Sequence, residues 1–107
     1  MLGPADMRLL IRGIGPDLTN RNVDGALADP RLELNANGEV FAQNDDWDDA
    51  DATALSAAFS SVGASALPQG SKDAAMIVTV GEGVYTVIMS GVSGATGVGL
   101  FEIFVLD

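Results

Sequence analysis

Residues 31–43 read Arg31-Leu32-Glu33-Leu34-Asn35-Ala36-Asn37-Gly38-Glu39-Val40-Phe41-Ala42-Gln43. Over 31–35, Leu32 and Leu34 alternate with Arg31, Glu33 and Asn35, the period of a half-buried strand. Asn37-Gly38 follows. Both central positions of a type I′ turn need positive φ, which Asn and Gly tolerate, so the dipeptide signals a hairpin. Residues 39–43 supply the return strand. A hairpin of this kind places the chain among antiparallel β proteins.

The flanking sequence extends this reading. Residues 7–14 form a strand with Met7, Leu9 and Ile11 on one face and Arg8, Leu10 and Arg12 on the other. Arg8 and Arg12 are expected to pair with acidic neighbours on adjacent strands. Gly13, Gly15 and Pro16 end that strand, and a helical turn is expected over 17–20. Residues 52–62 carry Leu55, Ala58, Phe59 and Val62 at spacings of three and four, which predicts one short helix. An aspartate just before it caps the helix, and Gly63 lies past its end. Residues 74–80, 84–90 and 98–106 read as three further strands, separated by glycine-rich turns. In the last, Phe101, Ile103 and Val105 share one face, and Leu100, Phe104 and Leu106 the other, with only Glu102 between them. A strand apolar on both faces is expected to be covered on both, by the helix or by a neighbouring subunit. About six strands and one helix predict an all-β fold, a jelly-roll-like antiparallel β-sandwich forming a single domain over 1–107. Leu32, Leu34, Phe59, Val78, Val87 and Phe101 are the expected core.

Composition limits the function. The chain has 107 residues, five basic against fifteen acidic, and a net charge of −10. Such a surface repels phosphate backbones and anionic membranes. It contains no cysteine and no histidine, which removes the thiolate nucleophile, the commonest general base and the commonest transition-metal ligands. The first six residues show no basic or apolar region of a signal peptide, so the chain reads as a mature protein or as one domain of a longer one.

The stretches LLIRGIGPDL (9–18), GALADPRLELNANGEVFAQNDDW (25–47) and LPQGSKDAAMIVTVGEGVYTVIMSGVSGATGVGLFEIF (67–104) resemble a β-sandwich module found, often in tandem, in very large secreted proteins of environmental bacteria. Its pattern runs RGxGP, ALADPxLxL, NDxW, an alanine-rich helix, then GxYT and SGxxGxTG, and the match extends over 8–107. More distantly, 29–46 and 78–103 are similar to the bacterial pre-peptidase C-terminal domain, a jelly-roll-like accessory domain of secreted enzymes, some members of which bind calcium. The helix and the RGIGP start depart from that wider pattern, so its metal ligands do not transfer. The resemblance implies a secreted or cell-surface location and a structural, adhesive or docking role.

Asn44, Asp45, Asp46, Asp48, Asp49 and Asp51 concentrate hard oxygen ligands in one loop, a composition that suits calcium. The bland alternative is a solvated loop whose aspartates cap the helix. Trp47 inside the loop either stacks on a sugar ring or anchors the loop to the sandwich. Gly13-Ile14-Gly15 and residues 94–99 lack the strand–GxGxxG–helix context of a phosphate cradle and read as turns. Ser71-Lys72-Asp73 reads as a surface ion pair rather than a serine–lysine dyad. The leading expectation is therefore a non-catalytic extracellular structural or adhesion module. It would self-associate through strands or termini, even into a filament, with copies or neighbouring domains of its own type as partners. The alternative is a calcium-dependent accessory module that binds extracellular carbohydrate or protein. An enzyme is not expected.

Overall fold

The computed structural model describes residues 6–49 and 51–106. Residues 1–5, which make up most of the start inspected for a signal peptide, lie outside the described residues. Six strands are found among the described residues: β1 (Met7–Ile14), β2 (Pro30–Ala36), β3 (Glu39–Asn44), β4 (Ala74–Val80), β5 (Tyr85–Gly91) and β6 (Leu100–Leu106). One α-helix, α1 (Ala52–Ser61), joins the two halves of the chain. The strands make two three-stranded antiparallel sheets, ordered β4-β1-β6 and β3-β2-β5. The chain passes between the sheets four times, from β1 to β2, β3 to β4, β4 to β5 and β5 to β6. This is the expected antiparallel sandwich with one short helix; a full jelly roll has eight strands.

Asn37 and Gly38 take φ of 54° and 80°, as the two-residue hairpin turn between β2 and β3 requires. A bulge at Leu34/Asn35 shifts the hairpin register, and nothing in the alternation announces it. Pro16 and Asp17 start a 3-10 turn over Pro16–Arg21, longer than the turn expected at 17–20. Asp51 caps α1 by accepting from the Ala54 N–H at 3.0 Å. Loss of such a cap costs about 1 kcal/mol.

Sheet β4-β1-β6 is the middle of three layers. Its helix-side face carries Leu10, Ile14, Ala75, Ile77, Phe104 and Leu106, packed with Leu55, Ala58, Phe59 and Trp47. Its other face carries Ile11, Ala74, Met76, Val78 and Val80, packed against Leu32 and Leu34 of β2. The strand covered on both faces is thus β1, not β6. Gly13 sits inside β1, not in a turn, and its missing side chain leaves room for Leu32, whose Cδ2 would stand 3.0 Å from a Cβ there.

Four of the six expected core residues are buried: Leu32, Leu34, Phe59 and Val78. Val87 is half-buried. Phe101 is 39% exposed, and this part of the expectation is corrected. Alternation puts Phe101 on the inter-sheet side, but β6 is an edge strand and the second sheet does not cover it. Over β6 the exposure rises from Phe101 to 47% at Ile103 and 57% at Val105. The inter-sheet side of β6 is therefore least covered at the Val105 end.

Candidate functional site

Two surfaces stand out, the acidic loop between β3 and α1 and the uncovered edge of β6.

The acidic loop is fixed by bonds that take up half of its polar side chains. Asn44 Oδ1 accepts from the Ala75 N–H at 3.0 Å, and its Nδ2 donates to the Asp46 carbonyl at 3.1 Å. Asp48 Oδ2 accepts from the Gly70 N–H at 2.6 Å, and Asp51 is the helix cap. Asp45, Asp46 and Asp49 remain, each with a carboxylate oxygen within 4.8 Å of the others. Oxygens on opposite sides of one calcium ion stand at most about 5 Å apart, so the spacing is compatible with that ion. Oδ1 of Asp46 is buried without a hydrogen-bond partner, and so is Oδ1 of Asp29, a residue far from this loop in sequence. Burial raises the Asp46 carboxyl above its ordinary value, and Asp45, Asp29 and Asp49 raise it further, against a smaller opposing effect of Lys72.

Of the six sequence-predicted ligands, the fold thus brings three together and gives Asn44, Asp48 and Asp51 structural bonds. Asp29 comes from the approach to β2, and only tertiary structure brings it to the loop. Lys72 reaches Asp29 at 3.9 Å rather than pairing with the adjacent Asp73.

Trp47 is 4% exposed. Its ring packs on Phe59 with centroids 5.6 Å apart, and its Nε1–H donates to the Pro68 carbonyl at 3.0 Å. No ring face is left to stack on a sugar. Trp47 is the anchor of the loop, and the ligand-stacking expectation is corrected. An indole is buried on this scale only when its N–H finds an acceptor, and Pro68 supplies one.

A native carboxyl held above its unfolded value favours the folded state at low pH. That advantage fades as pH rises from the ordinary carboxylate range through the raised value. At neutral pH in chelator, Asp46→Asn is therefore expected to raise the melting temperature slightly, by removing a charge held away from water and its repulsion from Asp45, Asp29 and Asp49. In millimolar calcium the order should reverse if the ion binds, with the wild type rising and the variant not. Thermal melts of both proteins in both buffers measure this.

The second surface is the β6 edge. Phe101, Ile103 and Val105 line its inter-sheet side; Leu100, on the helix side, is 39% exposed, and Val98, just before the strand, is 50% exposed. Within β6 the one charged residue is Glu102, which points to the helix side and meets Arg12 Nε at 3.1 Å. No helix among the described residues is long and apolar enough to cross a membrane. Comparison with protein-family models gives no match for this chain, and comparison with curated proteins and with solved structures gives none either.

Proposed function

We propose that the chain is a non-catalytic structural and adhesion module whose working surface is the uncovered edge of β6. One observation carries the reading: an edge strand without proline or uncompensated charge keeps Phe101, Ile103 and Val105 in solvent. Soluble proteins normally blunt such edges with lysine, proline or a covering loop, because an open apolar edge templates strand addition. The secreted or cell-surface setting comes from the motif resemblance.

If the edge is a working surface, it is open in the isolated molecule and contributes little to its stability. Ile103→Lys and Val105→Lys should each change the unfolding free energy of dilute protein by no more than about 0.5 kcal/mol. Leu10→Ala, in the helix-side core, should cost about 2–5 kcal/mol. Urea denaturation compares them. A core-sized loss from either lysine would mean that the chain itself covers this face, and the reading would fail.

A second reading is favoured by a separate observation, the Asp45–Asp46–Asp49 triad with its buried, unpartnered Asp46 oxygen. It is a calcium-dependent accessory module for extracellular carbohydrate or protein. Calorimetry with millimolar calcium tests it, and no heat together with no thermal shift would reject it.

A further inference from the structure

We propose that Asn37-Gly38 is a site at which the folded protein modifies itself. The Gly38 backbone nitrogen attacks the Asn37 side-chain amide, and the hairpin turn is converted to an aspartyl or isoaspartyl form. The two residues that make the turn supply both reacting groups.

Turn geometry decides the route. Asn37 and Gly38 hold φ of 54° and 80°, close to a type I′ turn, which sets ψ at its first central residue to about +30°. The five-membered imide ring closes only where Cβ eclipses the following nitrogen about the Cα–C bond. The handedness of an L residue places that eclipse at a ψ of about −120°. A type II′ turn has the same ψ of about −120° at its first central residue, with φ again about +60°. The two turns differ by a flip of the one peptide plane between Asn37 and Gly38. Both join hairpin strands, so the flip leaves the closing pair Ala36–Glu39 in place. It changes the sign of φ at residue 38, which glycine alone accepts readily. There is room for it: both residues are exposed, and nothing stands within 4 Å of where a Cβ would lie at Gly38. Strain at Asn37 keeps the flipped turn a minor form, but global unfolding reaches only one molecule in about 10³ to 10⁸. The folded hairpin is therefore the main source of the reactive conformer.

The chemistry consumes only water. The Gly38 nitrogen loses its proton and bonds to Asn37 Cγ; the Cγ–Nδ2 bond breaks and ammonia leaves. Water then opens the imide. Attack at Cγ restores the main chain and leaves an aspartate. Attack at the main-chain carbonyl leaves the backbone running through Cβ and Cγ, an isoaspartate. Either product makes the net charge of −10 one unit more negative. The other asparagines, Asn20, Asn22, Asn35 and Asn44, precede Arg21, Val23, Ala36 and Asp45, whose side chains hinder the approach of their nitrogens. Asn44 is also held at both ends of its amide. The aspartyl turn keeps its shape, since aspartate tolerates positive φ as asparagine does. The isoaspartyl turn carries an added backbone carbon, and hairpin register follows loop length. β3 is an edge strand paired only with β2 in its sheet, so no second strand holds that register.

Wild-type protein aged at mildly alkaline pH and mapped by peptide mass spectrometry is expected to show amide-to-acid conversion at Asn37 about tenfold or more faster than at any other asparagine. Urea below the unfolding transition should leave the rate unchanged, because the flip exposes little new surface. Leu10→Ala should also leave it unchanged, whereas a route through global unfolding would be accelerated about thirtyfold or more by that variant. The isoaspartyl form, separated by chromatography, should melt several degrees below Asn37→Asp, which has the charge without the added carbon. No conversion at Asn37, conversion as fast at the other asparagines, or a rate that climbs with urea and in Leu10→Ala would overturn the inference. An isoaspartyl form as stable as Asn37→Asp would overturn the part of it that concerns the register.

Discussion

Arg12→Ala is expected to cost about 3–5 kcal/mol, the loss typical of breaking a buried ion pair from one side. Arg12 is fully buried in β1. Its guanidinium lies 4.6 Å from the centre of the Phe59 ring, its Nη1–H donates to the Ser65 carbonyl at 2.6 Å, and its Nε stands 3.1 Å from Glu102. Burial pulls the guanidinium below its ordinary pKa, and Glu102 pushes back against that. Alanine removes the cation, leaves Glu102 uncompensated in a protein layer, and opens a cavity between β1, β6 and α1. For a domain of this size each kcal/mol moves the midpoint by about 4–8 °C, so the loss is large in a thermal melt and in urea. Lysine should not rescue it, since a point charge reproduces neither the stacking on Phe59 nor the fork to Ser65. The pair Arg12→Met/Glu102→Leu should recover most of the loss, because an apolar replacement of similar volume removes both charges together. If the double variant is no better than Arg12→Ala, the loss lies in the guanidinium's own bonds to Ser65 and its contact with Phe59, and not in lost volume or an uncompensated Glu102.

Arg12 also shows what local pattern does and does not convey. Alternation over 7–14 marks the strand and calls for acidic partners of its arginines on neighbouring strands; Glu102 of β6 fills that role for Arg12. A strand with two arginines on one face nevertheless looks half-solvated, and β1 is the central strand with both faces covered. The reason is tertiary: an ion pair, an aromatic face and a carbonyl together make the interior tolerable for one guanidinium, and all three come from distant parts of the chain. The converse holds for β6. Its two apolar faces imply cover on both sides, and the helix covers one. Which strand lies over which is set by sheet order and twist, and a period of two carries no information about either. The acidic loop was legible as a concentration of carboxylates, but not in its division of labour. Asp48 and Asp51 are taken up by backbone N–H groups, and Asp29 enters from a distant segment.

Asp73→Ala is the second change with a large expected effect, a loss of about 3–5 kcal/mol from orphaned buried groups. Asp73 is fully buried at the start of β4. Its Oδ1 accepts from the Gly15 N–H at 2.7 Å and from the Asp17 N–H at 3.2 Å, and its Oδ2 accepts from Ser71 Oγ at 2.8 Å. Its carbonyl accepts from the Trp47 N–H at 2.8 Å, which ties the acidic loop to the same point. The carboxylate therefore holds the turn that leaves β1, a turn that needs glycine at 15 because a Cβ there would stand 2.3 Å from the Leu27 carbonyl oxygen. Alanine in place of Asp73 leaves two buried backbone N–H groups without an acceptor, each costing roughly 1–3 kcal/mol. An asparagine in the same place would keep one oxygen for both N–H groups and present its amide to Ser71. Asp73→Asn should therefore cost only about 1–2 kcal/mol, the charge-assisted part of these bonds. Ser71→Ala removes the bond to Asp73 Oδ2 and the longer one, 3.4 Å, that Ser71 Oγ accepts from the Asp73 N–H, and should cost about 1–2 kcal/mol. Urea denaturation gives the three values. Amide hydrogen exchange at Gly15 and Asp17 then locates the damage, with protection lost in Asp73→Ala and kept in Asp73→Asn. Equal losses in the alanine and asparagine variants would show that the negative charge, and not acceptance from those two N–H groups, is what the buried carboxylate contributes.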